Sequence, residues 1–242
     1  PPLIKSTEAR FTQPLAVTIS SHTDGVIRYT LDGTEPTETS TPYTGPITLA
    51  TTTMVKARAY GKDGTPSFTA TRKFNYDYIV RTTFSQKPNT PFNEGADTLL
   101  FDGERSLIDD LQEGWLGFSG GGVTTTVELS KPIDIEFITL RYAHAPELWA
   151  FAPKQVTVLL SPDGETYTDT LHVEIPFDPA LKDYDNPQVV ELKVPVDKKG
   201  MGFLKIEALS IGSVPNWHRA KGLNPWLLMD EIEVSESTKK NE

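Results

Sequence analysis

The chain has 242 residues, a formal net charge of −10 and a sequence pI near 4.9. That balance argues against a nucleic-acid backbone or membrane insertion at an anionic bilayer, since either partner calls for a basic face, and no apolar run is long enough to span a bilayer. Cysteine is absent, which excludes a disulfide framework, thiol catalysis and thiolate zinc sites.

The length suits two modest domains or one large all-β domain. The 17 glycines and 19 prolines are spread between short apolar runs, a pattern of many short strands and turns. The chain opens at Pro1-Pro2 without an initiator Met, so the expectation is an excised segment whose targeting sequence has been left out. Residues 1–11 read as a lead-in from something upstream. Val17-Thr18-Ile19 begins an alternation, and Val26-Ile27-Arg28-Tyr29-Thr30-Leu31 continues it. Ile27, Tyr29 and Leu31 are expected on the core face, Arg28 and Thr30 on the solvent face. Asp32-Gly33 ends that run: glycine takes positive φ cheaply, and the aspartate accepts bonds from nearby backbone amides. Ile47 and Leu49 mark another strand. In 54–60, Val55, Ala57 and Ala59 share one face and Lys56, Arg58 and Tyr60 the other. Residues 61–66 form a turn, and 67–74 a closing strand.

No segment in this half has helical length or period. It holds no histidine pair, no nucleophile beside a base and no glycine-rich phosphate loop, so a packing or spacer role is the plainer reading. Three runs carry a resemblance: Ile27-Arg28-Tyr29-Thr30-Leu31-Asp32-Gly33-Thr34-Glu35-Pro36-Thr37, Ser40-Thr41-Pro42-Tyr43-Thr44-Gly45-Pro46-Ile47 and Val55-Lys56-Ala57-Arg58-Ala59-Tyr60. Over roughly residues 12–76 the chain resembles the small module appended to chitobiases and β-N-acetylhexosaminidases of glycoside hydrolase family 20. The strand count fits an immunoglobulin-like β-sandwich.

Asn75-Tyr76-Asp77-Tyr78-Ile79-Val80 is the expected boundary, giving domains 1–78 and 79–242. A flexible linker would be rich in Gly and Ser; two tyrosines predict a packed link and a fixed interdomain angle. Beyond it come Phe101-Asp102-Gly103, Gly114-Trp115, strands at 123–129 and 133–142, and Val156-Thr157-Val158-Leu159-Leu160. Ser161-Pro162-Asp163-Gly164 then reads as a hairpin tip. Strands at 189–194, 203–208 and 226–234 complete the set. The order of Phe-Asp-Gly, Gly-Trp, Ser-Pro-Asp-Gly and Asp230-Glu231-Ile232 over roughly 84–234 resembles the discoidin (coagulation-factor type C) domain. That domain is an eight-stranded jelly roll, galactose-binding-domain-like, shared with sugar-binding modules of bacterial carbohydrate enzymes. The fold class expected is therefore all-β: an immunoglobulin-like sandwich followed by a discoidin-type jelly roll. The pairing resembles the C-terminal region of secreted hexosaminidases of bacterial glycan degraders, which implies export to the periplasm or outer cell surface.

A family-20 hexosaminidase uses an adjacent Asp-Glu pair on a (β/α)8 barrel, with the substrate's acetamido group as nucleophile. Asp230-Glu231 lacks the preceding histidine and glycines of that motif. On a regular strand its two side chains would point to opposite faces, and a barrel would need about 250 residues of its own. The catalytic domain is expected outside this chain, as its partner, and catalysis within the chain is not expected. The discoidin resemblance implies instead a structural calcium, held by Asp102 and Glu231 with oxygens from Glu104 and Ser106. Calcium takes several hard oxygens in a flexible shell. Ser106-Leu107-Ile108-Asp109-Asp110 replaces the family's usual Thr-Trp there, which weakens the side-chain part of the set. The plain alternative is a solvated acidic turn and a strand carboxylate.

Sugar binding needs an aromatic platform for the apolar face of a pyranose and a few polar groups for its hydroxyls. Trp115 and Trp226 read as core. The candidates lie on two loops: His144, Trp149 and Phe151 around Ala145-Pro146-Glu147-Leu148-Trp149-Ala150-Phe151-Ala152-Pro153, and Asn216-Trp217-His218-Arg219 before the last strand. The same residues suit docking on the missing catalytic domain, the reading favoured here. The four histidines, His22, His144, His172 and His218, show no metal-ligand spacing. Asp109-Asp110 and residues 178–185 read as solvated loops, and 239–242 as a disordered tail. Two accounts remain: accessory domains bracing a hexosaminidase barrel, or an autonomous module recognising galactose- or hexosamine-containing glycans.

Overall fold

The computed structural model describes all residues except Thr23, Gln112, 183–185 and 238–242. The predicted tail and part of the acidic 178–185 segment therefore lie outside the described residues. Among the described residues the regular structure is strand, apart from two 3-10 turns at Leu99–Phe101 and Pro146–Leu148. The chain divides into two compact units, Pro1–Asp77 and Tyr78–Glu242.

The first unit contains β1 (Leu3–Lys5), β2 (Arg10–Phe11), β3 (Leu15–Ser20), β4 (Gly25–Thr30), β5 (Thr41–Pro42), β6 (Ile47–Leu49), β7 (Thr53–Gly61) and β8 (Ala70–Tyr76). They form two sheets, ordered β1-β3-β6 and β2-β8-β7-β4-β5. Alternation drives the pairing: Leu15, Val17 and Ile19 of β3 are buried, as are Val55, Ala57 and Ala59 of β7, while their neighbours along each strand are more exposed. Phe11, Leu49 and Phe74 complete the core between the sheets.

Three expectations change here. Residues 1–11 are part of the fold, since Ile4 pairs with Ile19 and Phe11 runs parallel beside Tyr76. Strands of two or three residues are too short for alternation to announce them. Leu31 is exposed because β4 stops at Thr30, where Asp32 begins its turn. The Asp32 carboxylate accepts from the Thr34 amide (3.0 Å) and hydroxyl (2.6 Å), and Gly33 sits at φ 79°. The closing strand starts at Ala70 rather than Ser67. Ser67 is instead tied to Ala59 through both its amide and its hydroxyl.

The Glu-Pro that follows the turn has a structural task. Loop 31–40 folds over the outer face of β4 and β7. Pro36 is buried and its carbonyl accepts the Tyr60 hydroxyl at 3.0 Å. Lys56 reaches Glu35 at 2.7 Å, and Arg28 donates to the Ser40 carbonyl at 3.0 Å.

The second unit contains β9 (Ile79–Phe84), β10 (Leu116–Ser119), β11 (Gly122–His144), β12 (Gln155–Ser161), β13 (Asp169–Val173), β14 (Gln188–Leu209) and β15 (Trp226–Glu236). Their hydrogen-bonded path is β10-β15-β11-β14-β12-β13, with β9 also on β11. β11 and β14 each serve two faces. The early part of β11 pairs with β9 and the late part of β14, which also carries β12; the late part of β11 pairs with the early part of β14 and with β15. Register shifts between Glu128 and Phe137 bend β11 without ending it, the usual device by which one strand turns a sheet corner. The segments expected as separate strands at 123–129 and 133–142 are therefore one, and so are 189–194 and 203–208. Ser130-Lys131-Pro132, between the two expected strands, lies within the bent strand. The fold is an all-β sandwich. The predicted tip at 161–164 is present: the Asp163 carboxylate accepts from the Glu165 and Thr166 amides and bonds Ser161, all of which hold it below the usual carboxylate range.

On the outer side of late β11, Phe92, Ile108, Leu111 and Trp115 pack over Ala143, Ala145, Ala150 and Leu228. Both faces of that stretch are thus covered, and Thr139, Arg141 and His144 are buried along with Leu140 and Tyr142.

Candidate functional site

Three loops of the second unit meet beyond the end of β11. The first leaves β11 through the Pro146–Leu148 turn and reverses at Trp149, whose left-handed φ of 62° lets its amide bond the Pro146 carbonyl. It is then stitched to β15, with the Trp226 amide on the Trp149 carbonyl (2.8 Å) and the Phe151 amide on the Trp226 carbonyl (2.9 Å). The second loop, before β15, is pinned by Gly222 to Val214 and Val214 to Leu223, each at 2.9 Å. The third, between β13 and β14, is held by the Trp217 indole, which donates to the Ala180 carbonyl at 2.8 Å. Beneath them Phe151 stands edge-to-face with His144, Trp217 and His218, and His144 with Phe177.

Between the loops lies a groove of about 370 Å³ lined by Pro146, Glu147, Lys182, Trp217, His218 and Arg219. Trp217 is half-buried, so part of its ring is fixed and part presented. The His218 Nδ1 accepts the Ala220 amide at 3.0 Å; in the neutral ring the proton then resides on Nε2, which becomes a donor. Arg219 spends one bond on the Glu147 carbonyl, at 3.3 Å.

The structure thus brings together Trp217, His218 and Arg219, with Asn216 exposed beside them and Trp149 37% exposed on the neighbouring loop. His144 and Phe151 are corrections. Both are buried, because the 145–153 loop folds back onto β11 and β15 and carries Phe151 inside; they support the surface and do not form it. Trp226, expected in the core, is half-buried against Phe92, with ring centroids 5.1 Å apart. Glu147 and Lys182 were not singled out in the sequence. Lys182 comes from a segment distant in the chain, and its one signal is that it is a cation inside an acidic run.

The second cluster surrounds loop 99–106. Asp230 and Glu231 do not point apart as a regular strand requires. Arg141 pairs with Glu231 and Tyr142 with Met229, so Asp230 is an extra residue, a β-bulge. Both carboxylates are buried and turn to the same loop: Glu231 accepts the Gly103 amide (3.1 Å) and Asp230 the Ser106 amide (2.8 Å). Arg141, also buried, pairs with Asp230 and donates to the Ser106 carbonyl at 3.3 Å. Burial pushes the Asp230 carboxyl up to about 6, against the pull of Arg141 and the Ser106 amide.

Of the expected calcium set, Asp102 and Glu231 border the same loop through Asp102-Gly103. The exposed Glu104 donates its amide to the Asp102 carboxylate (2.8 Å), and the Ser106 hydroxyl donates to the Gly114 carbonyl (2.8 Å). Among the described residues no three acidic or histidine side chains form a metal-binding group. Of the four residues expected to hold calcium, Glu231 is buried and meets the loop through the Gly103 amide, while Asp102 and Glu104 are exposed.

No curated protein matches the chain. Among solved structures, a pectin-binding carbohydrate-binding module shares 16% identity, with 68% of this chain and 96% of that one covered and a TM-score of 0.37. Carbohydrate-binding modules of the β-sandwich superfamily, described for their promiscuous specificity, share 16% identity over 97% and 98% of the two chains, at a TM-score of 0.35. CBM32-3 from a family 31 glycoside hydrolase of Clostridium perfringens shares 12%, over 66% and 90%, at 0.32. Residues 6–71, within the first unit, match the family model of the chitobiase/beta-hexosaminidase C-terminal domain.

Proposed function

We propose that this chain is a non-catalytic, carbohydrate-binding accessory region of a larger exported bacterial β-N-acetylhexosaminidase. The Pro1–Asp77 unit is its hexosaminidase-type C-terminal module and the Tyr78–Glu242 unit a discoidin-type sugar module. The family match over residues 6–71 supports the first assignment. The observation that carries glycan contact is the groove itself, where one indole ring meets His218, Arg219, Glu147 and Lys182. A pyranose lays its apolar face on the indole, while the surrounding donors and the Glu147 carboxylate fix its hydroxyls. In a glycan array probed with the whole chain, galactose- or hexosamine-containing glycans are expected to bind, and Trp217→Ala to lower affinity at least about tenfold. A blank array from folded protein counts against the reading.

A second reading, docking on the catalytic domain, is favoured by Leu148 (59% exposed), Leu223 (52%) and Trp149 on the same loops. Apolar side chains grouped at a surface mark interfaces. Under that reading, Trp149→Ala in the full-length enzyme lowers its melting temperature and leaves glycan binding by the isolated chain intact.

The proposal includes a structural calcium at loop 99–106, with Glu231 and loop carbonyls as its ligands and Asp102 at its rim. When bound, the ion would tie that loop to β15. EDTA is expected to lower the melting temperature and added calcium to restore it, with Glu231→Gln abolishing the response. An unchanged melting curve would remove the ion from the account.

A further inference from the structure

The polar groups of the loop groove are unevenly balanced. Lys182 and Arg219 line it, yet neither makes an ion pair among the described residues, and the only side-chain bond of Arg219 there is the single long one to the Glu147 carbonyl. Several other guanidiniums are matched with carboxylates, Arg10 with Asp77, Arg81 with Glu128, and Arg105 with Glu191 and Glu233, while Arg28 and Arg72, like Arg219, donate to backbone carbonyls. His218 adds a third donor, Nε2, because its Nδ1 is spent on the Ala220 amide. Among the described residues one lining carboxylate, Glu147, stands against these three.

Donors in excess around a fixed indole select a ligand group that accepts and does not donate. A hydroxyl does both and leaves charges unanswered; a carboxylate or sulfate accepts from ammonium, guanidinium and imidazole together, and charge-assisted bonds are the stronger kind. Arg219 supplies a planar fork suited to two oxygens of one such group. We infer that this groove recognises an anionic sugar, a pyranose carrying a carboxylate or sulfate, with the ring on Trp217 and the anionic group between Lys182 and Arg219. Glu147 remains for a hydroxyl of the same ring. This rests on the reading of the groove as a glycan site and narrows it to one chemistry. The overall charge of the chain repels anions at long range, so the selectivity is local to the groove and is retained at physiological salt, where the Debye length is about 8 Å.

The test is calorimetric titration of the whole chain with three probes: a galacturonic acid trisaccharide, its fully methyl-esterified form, and a 6-sulfated galactose oligosaccharide. The acid is expected to bind at least about tenfold more tightly than its ester. Arg219→Gln and Lys182→Gln, both exposed substitutions checked by melting curve, should each weaken the acid more than the ester and so reduce that ratio. Whether the sulfated probe binds like the acid tells which anionic group is preferred. Equal affinity for acid and ester, with Trp217→Ala weakening both, overturns the anionic inference and preserves the glycan site. Failure of the acid, the ester and the neutral glycans alike overturns both.

Discussion

Arg141 shows how little a residue's type reveals of its place. In the alternation Ile138, Leu140, Tyr142 it occupies the outward position, where a charged side chain ordinarily meets water. The loop spanning 99–115 covers that face, so Arg141 is buried and paired with Asp230. A buried pair is weak evidence for stability, but removing one partner leaves the other charge uncompensated, at a cost of about 3–5 kcal/mol. Arg141→Ala is therefore expected to lower unfolding stability in urea by that amount. Asp230→Asn on the Arg141→Ala background should recover part of it, and two independent, additive losses would show that the side chains are not coupled. The loop aromatics carry the same lesson. Phe151 and Trp217 are both loop aromatics, yet one is sealed beneath the groove and the other lines it.

Elements impose order that single residues lack. The run Asp32-Gly33-Thr34-Glu35-Pro36 reads locally as a turn, and its turn chemistry was legible: an aspartate that caps two residues ahead and a glycine at positive φ. What the turn is for depends on β7. Tyr60, three strands later in the chain, closes loop 31–40 by bonding the buried Pro36. Tyr60→Phe keeps the ring and deletes that bond, with an expected loss of about 1 kcal/mol and faster amide exchange in residues 31–40 than in β3. Unchanged exchange would mean that the loop is held by Glu35 and Arg28 alone. The β-bulge at Asp230 belongs to the same scale. One extra residue opposite Arg141 swings two adjacent carboxylates to one loop, and no periodicity in Trp226-Leu227-Leu228-Met229-Asp230-Glu231-Ile232 announces it.

Considered as a whole molecule, the chain buries apolar side chains separately in each unit, between the sheets of Pro1–Asp77 and within Tyr78–Glu242. The residues at their junction are each anchored in their own unit: Asp77 to Arg10, and Tyr78, itself buried, to Glu236. Expressed separately, residues 1–77 and 78–242 are each expected to fold, giving dispersed amide spectra that overlay on those of the intact chain away from the junction. A collapsed spectrum from either piece would show that its core is incomplete alone.

The sequence by itself determined the all-β class and the turn chemistry. These follow from local rules: side chains alternate with period two, glycine and aspartate have particular backbone preferences, and both act over a few residues. It also pointed to the two loops that supply Pro146, Glu147, Trp217, His218 and Arg219 of the groove, since aromatics carried on loops lack the core-filling role of strand aromatics. Only the tertiary structure decided which of those side chains is presented, that Lys182 and Glu147 join Trp217, and that Asp230 and Glu231 share a side. Each of these depends on segments far apart in the chain meeting through packing, on bulges set by partner strands, and on which face a loop covers. Burial is a property of the neighbours a residue meets, and those neighbours are not written beside it in the chain.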